Sequence, residues 1–120
     1  MITRQLQSVI ESQLFKGKAV VVIGARQVGK STLLREIALK QAATYLMLNC
    51  DEPEVKEMLQ SINTTELRQL IGSNKIVFID EAQRVPNIGM TLKLIVDNFP
   101  DVQLLVSGSS SLELHNQLSD

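Results

Sequence analysis

Residues 20–34 read VVVIGARQVGKSTLL. An unbroken apolar run ends at Gly24, a polar loop crosses to Gly29, Lys30 and Ser31 follow, and helix-forming residues take over. A run of β-branched residues without polar alternation suits a strand covered on both faces, as in a parallel sheet, so Ala19 to Ile23 is expected to be a central strand. Gly24 to Ser31 fits the spacing G-x-x-x-x-G-K-[ST], in which backbone N–H groups cradle phosphates, the lysine contacts the terminal phosphates and the hydroxyl binds magnesium. Gly24 and Gly29 permit backbone angles and a close approach that a Cβ would hinder. The start of the helix at Lys30 adds an oriented dipole and unpaired N–H donors. The candidate nucleotide-binding residues are therefore Gly24, Ala25, Arg26, Gln27, Val28, Gly29, Lys30, Ser31 and Thr32. Lys30 doubles as a catalytic cation and Ser31 as a magnesium ligand, while Arg26 and Gln27 occupy variable positions of the loop.

Upstream, Ile2, Leu6, Val9, Ile10 and Leu14 fall on one helical face, and Gly17 lies where a chain can leave a helix. A short helix over residues 1–17 is expected to lead into the domain. Downstream, Leu33, Leu34, Ile37 and Ala38 cluster at helical spacing between Lys30 and Ala42, and TYLMLNC reads as a second strand. A turn before Pro53 opens a helix bearing Val55, Met58, Leu59 and Ile62. Asn63 followed by Glu66 forms a capping box for another helix, carrying Leu67, Leu70 and Ile71 and stopped by Gly72 and Ser73. A third strand, IVFID, leads through EAQRVPN into a helix with Ile88, Leu92, Ile95, Val96 and Phe99 on one face, before a fourth strand, VQLLVS. Strands alternating with helices imply right-handed crossovers and a parallel sheet with helices on both faces.

The third strand delivers Asp80 and Glu81 to the carboxyl end of a buried run, which in a parallel sheet is the edge that also carries the phosphate loop. Asp80 is placed to help hold magnesium, directly or through water, and Glu81 to orient and deprotonate a water attacking the γ-phosphate. Asp51 and Glu52 end the second strand as an ordinary carboxylate pair before proline. Arg84 reads as a solvated loop arginine, Cys50 as a core thiol and His115 as an exposed imidazole.

The chain has 120 residues, the length of one domain, and is large enough to bury roughly two-thirds of its unfolded surface. Twelve Lys and Arg stand against thirteen Asp and Glu, a formal charge of −1, so no basic field points to nucleic acid or an anionic membrane. The single cysteine cannot form an internal disulfide, no targeting segment is evident, and a reducing cytoplasm is the expected location. The longest apolar run falls far short of the roughly 20 residues needed to span a bilayer.

The stretches GARQVGKSTLL, FIDEAQRVPN and VSGSSSLEL resemble the ATPase module of a family of prokaryotic AAA-type P-loop proteins, in which a separate C-terminal domain follows. The resemblance covers nearly the whole chain. It implies a P-loop NTPase fold of three α/β/α layers over a mainly parallel sheet, with ATP as ligand and magnesium as cofactor. It further implies that the phosphate-loop strand lies between a fifth strand and the fourth, with the third and second beyond. A polar residue near the end of the fourth strand senses the γ-phosphate in such folds; Ser107 and Ser109 are the candidates here, and a serine-rich turn is the equal alternative.

Relative to that family the chain stops soon after the fourth strand, so an N-terminal part of a longer protein is expected, lacking a fifth strand, a later arginine and the C-terminal domain. Arginine fingers are worth roughly 10³ to 10⁵ in turnover, so hydrolysis is expected to be slow and to fail before binding does. The leading expectation is an ATP-binding, ATP-hydrolysing switch for a missing domain or protein partner. A nucleotide-dependent interaction module without significant hydrolysis is the second reading, and a small-molecule kinase the third, disfavoured because no arginine-rich lid is evident. NKIV at residues 74–77 lacks the aspartate of an N-K-x-D guanine motif. Oligomerisation is left open, and DNA association gains no support from the charge balance.

Overall fold

A computed structural model describes residues 20–23, 35–37, 39–40 and 44–108 of the chain. The expected helix over residues 1–17, the loop from Gly24 to Thr32, Ser109 and His115 lie outside the described residues. Within them run strand β1 (Val20–Ile23), β2 (Tyr45–Asn49), helices α1 (Pro53–Leu59) and α2 (Thr64–Ile71), β3 (Ile76–Asp80), a 3₁₀ turn (Ala82–Arg84), α3 (Ile88–Asn98) and β4 (Gln103–Gly108). Arg35–Ile37 and Leu39–Lys40 are also helical, in agreement with the helical spacing read between Lys30 and Ala42.

The four strands form one sheet in the order β1-β4-β3-β2, and all three pairings are parallel. This is the order the family resemblance implies for these strands. Continuous apolar runs explain it: every residue of β4, and Ile76 to Ile79 of β3, is buried, as the two strands with described neighbours on both sides should be. Strand β2, paired with β3, is mostly half-buried.

Alternation along the strands sorts the core into two faces. Leu48, Val77, Ile79, Leu104 and Val106 share one buried cluster with Leu59, Leu67, Ile71, Ile88, Leu92 and Ile95 of α1 to α3. The intervening residues Ile76, Phe78 and Leu105 are buried on the opposite face, and there Nη2 of Arg35 donates to Sδ of Met47 at 3.4 Å beside the buried Ile37. Helical chain thus covers both faces, giving three layers. Each fully buried large aliphatic or aromatic side chain contributes about 1.5–3 kcal/mol relative to exposure.

Local signals fix the connections. The amide of Glu66 donates to Oδ1 of Asn63 at 2.8 Å, and Oε1 of Glu66 accepts from the amide of Asn63 at 3.0 Å, so the capping box read from the sequence is formed. Gly72, at φ 57°, ends α2 in a backbone conformation that side chains disfavour. The hydroxyl of Thr91 on α3 donates to the carbonyl of Leu59 at 2.7 Å in a buried contact, satisfying an orphan acceptor at the end of α1. The guanidinium of Arg68 on α2 lies 5.3 Å from the centre of the Phe99 ring that closes α3.

Candidate functional site

Parallel pairing brings the carboxyl ends of the four strands to one edge. Ile23, immediately before Gly24, is registered with Gly108, Val22 with Ser107, and Asn49 with Asp80. Ser107, fully buried, donates its hydroxyl to Oδ1 of Asp80 at 2.5 Å and closes the row between β4 and β3. The strand that precedes residues 24–32 therefore ends on the same edge as Asp80 and Ser107. Four chain-distant segments meet there.

Glu81 begins the turn after β3 in the left-handed region, at φ 55° and ψ 44°, where a non-glycine residue costs about 1–3 kcal/mol. Three of its contacts bear on its geometry. Its amide donates to Oδ1 of Asp80 at 2.9 Å, its carbonyl accepts from the amide of Arg84 at 3.0 Å, and Oε1 accepts from Nε2 of Gln83 at 2.8 Å. Glu81 and Gln83 are 5% and 8% exposed, so the carboxylate–carboxamide contact is shielded from water. Gln83 had no site role in the sequence reading. Its only sequence signal is a polar side chain between Ala82 and Val85, two residues that are themselves buried.

Arg84 is exposed and Asp51 lies in a turn, as expected, and the structure adds an ion pair between them. Nε of Arg84 lies 3.1 Å from Oδ1 of Asp51, tying the loop after β3 to the end of β2, with the two side chains 49% and 31% exposed. The turn itself is present: the amides of Asp51 and Glu52 donate to Oδ1 and the carbonyl oxygen of Asn49. Between these elements lies Cys50, a core residue as expected, whose amide donates to the carbonyl of Asp80 at 2.9 Å. Burial pushes its thiol up to about 12, with the carboxylates of Asp80, Asp51 and Glu81 adding to the effect. A thiol so raised stays protonated and is neither nucleophile nor metal ligand near neutral pH.

Among the described residues no group of three or more His, Cys, Asp or Glu is placed to hold a metal ion. Magnesium does not need one: it keeps several waters and takes one or two protein oxygens alongside substrate phosphates. The Asp80 carboxylate at the sheet edge fits that demand. A groove of about 770 Å³ between α1 and α2 does not suit a nucleotide, because Glu54, Glu57 and Glu66 line it. Among the described residues no helix is long and apolar enough to cross a membrane.

Three α/β/α layers over a parallel sheet of this strand order are the fold class expected from the sequence. Residues 16–120 match the AAA domain family, and the chain belongs to it. Uncharacterized proteins of Mycobacterium tuberculosis and Mycobacterium bovis are each 29% identical over 106 residues, covering 84% of this chain and 22% of their own length. The chain thus spans about a fifth of those relatives. In fold it is similar to a Walker-type ATPase of Pyrococcus abyssi, with TM-score 0.62 and 18% identity over 99% of this chain and 48% of the other. It is also similar to the Pif1 helicase of Candida albicans, with TM-score 0.58 and 18% identity over 90% of this chain and 32% of the other.

Proposed function

We propose that this domain binds ATP with magnesium and hydrolyses it, acting as a nucleotide-controlled switch for the rest of a larger cytoplasmic protein or for a protein partner. The observation that carries the reading is the meeting of the loop-bearing strand, Asp80, Ser107 and the pinned Glu81 at one sheet edge. Residues 24–32 would wrap the phosphates, with Lys30 countering their charge. Ser31 and Asp80 would hold magnesium, which when bound neutralises charge on the β- and γ-phosphates. Glu81 orients and deprotonates the attacking water, and Ser107 or Ser109 reports on the γ-phosphate. The AAA family membership supports nucleotide binding and hydrolysis in general. Residues 1–17 form the lead-in helix of this reading, and residues 1–120 the ATPase unit. The switch role draws on the relatives being about four times as long as this chain, which leaves room for a part that could respond to nucleotide state.

Calorimetric titration with magnesium-ATP, run beside Lys30→Ala, tests the reading. Binding abolished by the substitution supports it, and binding that survives removes the phosphate loop from the site. Turnover then separates the second reading, a nucleotide-dependent interaction module without significant hydrolysis. Equal rates for the unaltered chain and Glu81→Gln would favour the module, since no water-activating carboxylate would be at work.

A further inference from the structure

Glu81 has unusual backbone geometry for a residue whose side chain is to do chemistry. Its φ of 55° is disfavoured for a residue that carries a Cβ, and such a conformation persists only where surroundings over-determine it. Two of these contacts, from the amide of Arg84 and to Oδ1 of Asp80, act on the backbone and fix the direction in which Cα–Cβ leaves the turn. Neither of these two acts on the torsions of the side chain itself. The third contact acts at the far end: Nε2 of Gln83 donates to Oε1 of Glu81 at 2.8 Å, within a buried turn. Gln83 can reach because the 3₁₀ turn Ala82–Arg84 folds the chain back on itself, while buried Ala82 and Val85 anchor that turn in the core.

We infer that Gln83 is a positioning residue for hydrolysis: its carboxamide locks the Glu81 side chain, so that the carboxylate is aimed before nucleotide arrives. This inference rests on the reading of Glu81 as the base that activates water. A carboxylate on a free side chain samples several staggered rotamers, and only some would face an attacking water. A donor fixed on one oxygen removes that freedom in advance, which is how a supporting shell sharpens a reacting group. Gln83 touches neither phosphate nor metal in this role, so nucleotide affinity is independent of it.

The test uses Gln83→Met, which keeps the length and loses the N–H donor, beside Gln83→Asn, whose shorter carboxamide cannot span the contact. Each is to lower kcat roughly 10- to 100-fold, as loss of an outer-shell partner typically does. The dissociation constant for magnesium-ATP is to stay within about twofold, the pattern of an interaction used only in the chemical step. A double variant with Glu81→Gln decides how Gln83 acts. If it works through Glu81, Gln83→Met adds no further loss in that background; multiplied losses would make Gln83 merely structural and overturn the proposal. Unchanged or faster turnover of both Gln83 variants would also overturn it, the faster rate meaning that the contact restrains the carboxylate. Should Gln83→Met fail to bind nucleotide or to fold, Gln83→Asn carries the same test. Wild-type turnover by Glu81→Gln alone marks failure of the underlying reading of Glu81, a result distinct from every outcome above.

Discussion

The Ser107 hydroxyl donates to Oδ1 of Asp80, the same oxygen that accepts the Glu81 amide, so one carboxylate oxygen joins β4, β3 and the turn that follows. Removal of the hydroxyl in Ser107→Ala takes a buried donor from a carboxylate. Hydrogen bonds to charged groups contribute about 1.5–3 kcal/mol, so the urea midpoint is expected to fall correspondingly. An unshifted midpoint would show that water or another donor replaces Ser107 without cost.

The position of Cys50 makes a prediction about chemical reactivity and pH. Its thiol pKa lies at about 12, against 9.0 for the free group, because of burial first and the Asp80, Asp51 and Glu81 carboxylates second. The folded chain therefore holds a proton that the unfolded chain releases. This contribution to stability is fully present below about pH 9 and is lost as pH rises towards about 12. Iodoacetamide at mildly alkaline pH should leave native Cys50 unmodified and label it in urea; rapid labelling of the native chain would contradict the buried placement.

Thr91 and Leu59 provide a test of how α3 is held against α1. Thr91→Val keeps the shape and buries the Leu59 carbonyl without its 2.7 Å donor. A loss of about 1–3 kcal/mol is expected, while Thr91→Ser retains most of the contact. Chemical unfolding of the pair measures the difference, and equal stability of Val and Ser variants would argue against the bond.

At the start of α2, Asn63→Ala removes the side-chain half of the capping box and should cost about 1 kcal/mol. The Arg84–Asp51 pair is the contrasting case. Half-exposed ion pairs are worth about 0–1 kcal/mol, so Arg84→Ala should shift the melting midpoint less than Asn63→Ala does, and less again at high salt.

Much of this fold is legible in short-range patterns. Short, largely apolar runs gave the strands, because burial on both faces leaves little polar alternation. Asn63 and Glu66 gave the capping box, because its partners lie within one helical turn, and Gly72 marked the end of α2. The edge that gathers Asp80 and Ser107 followed from parallel pairing alone. What stayed hidden depends on backbone states or distant packing. Nothing in the letters of EAQR says that Glu81 is left-handed, since glutamate ordinarily avoids that region. Without that bend Gln83 cannot be foreseen as its partner. Likewise Arg84 finds Asp51, and Thr91 finds Leu59, only after separate elements have packed.

The pairing of β1 with β4 also sets an order in time. As the chain emerges from the ribosome, β2 and β3 can meet once Asp80 is clear, but β1 has no described partner until residues 103–108 have been made. Such long-range parallel pairing closes late and slowly. Of the four strands, β1 thus waits through the longest stretch of synthesis before its pairing partner exists. If the proposed nucleotide site is right, stabilisation of a nascent chain by nucleotide would await the synthesis of its fourth strand.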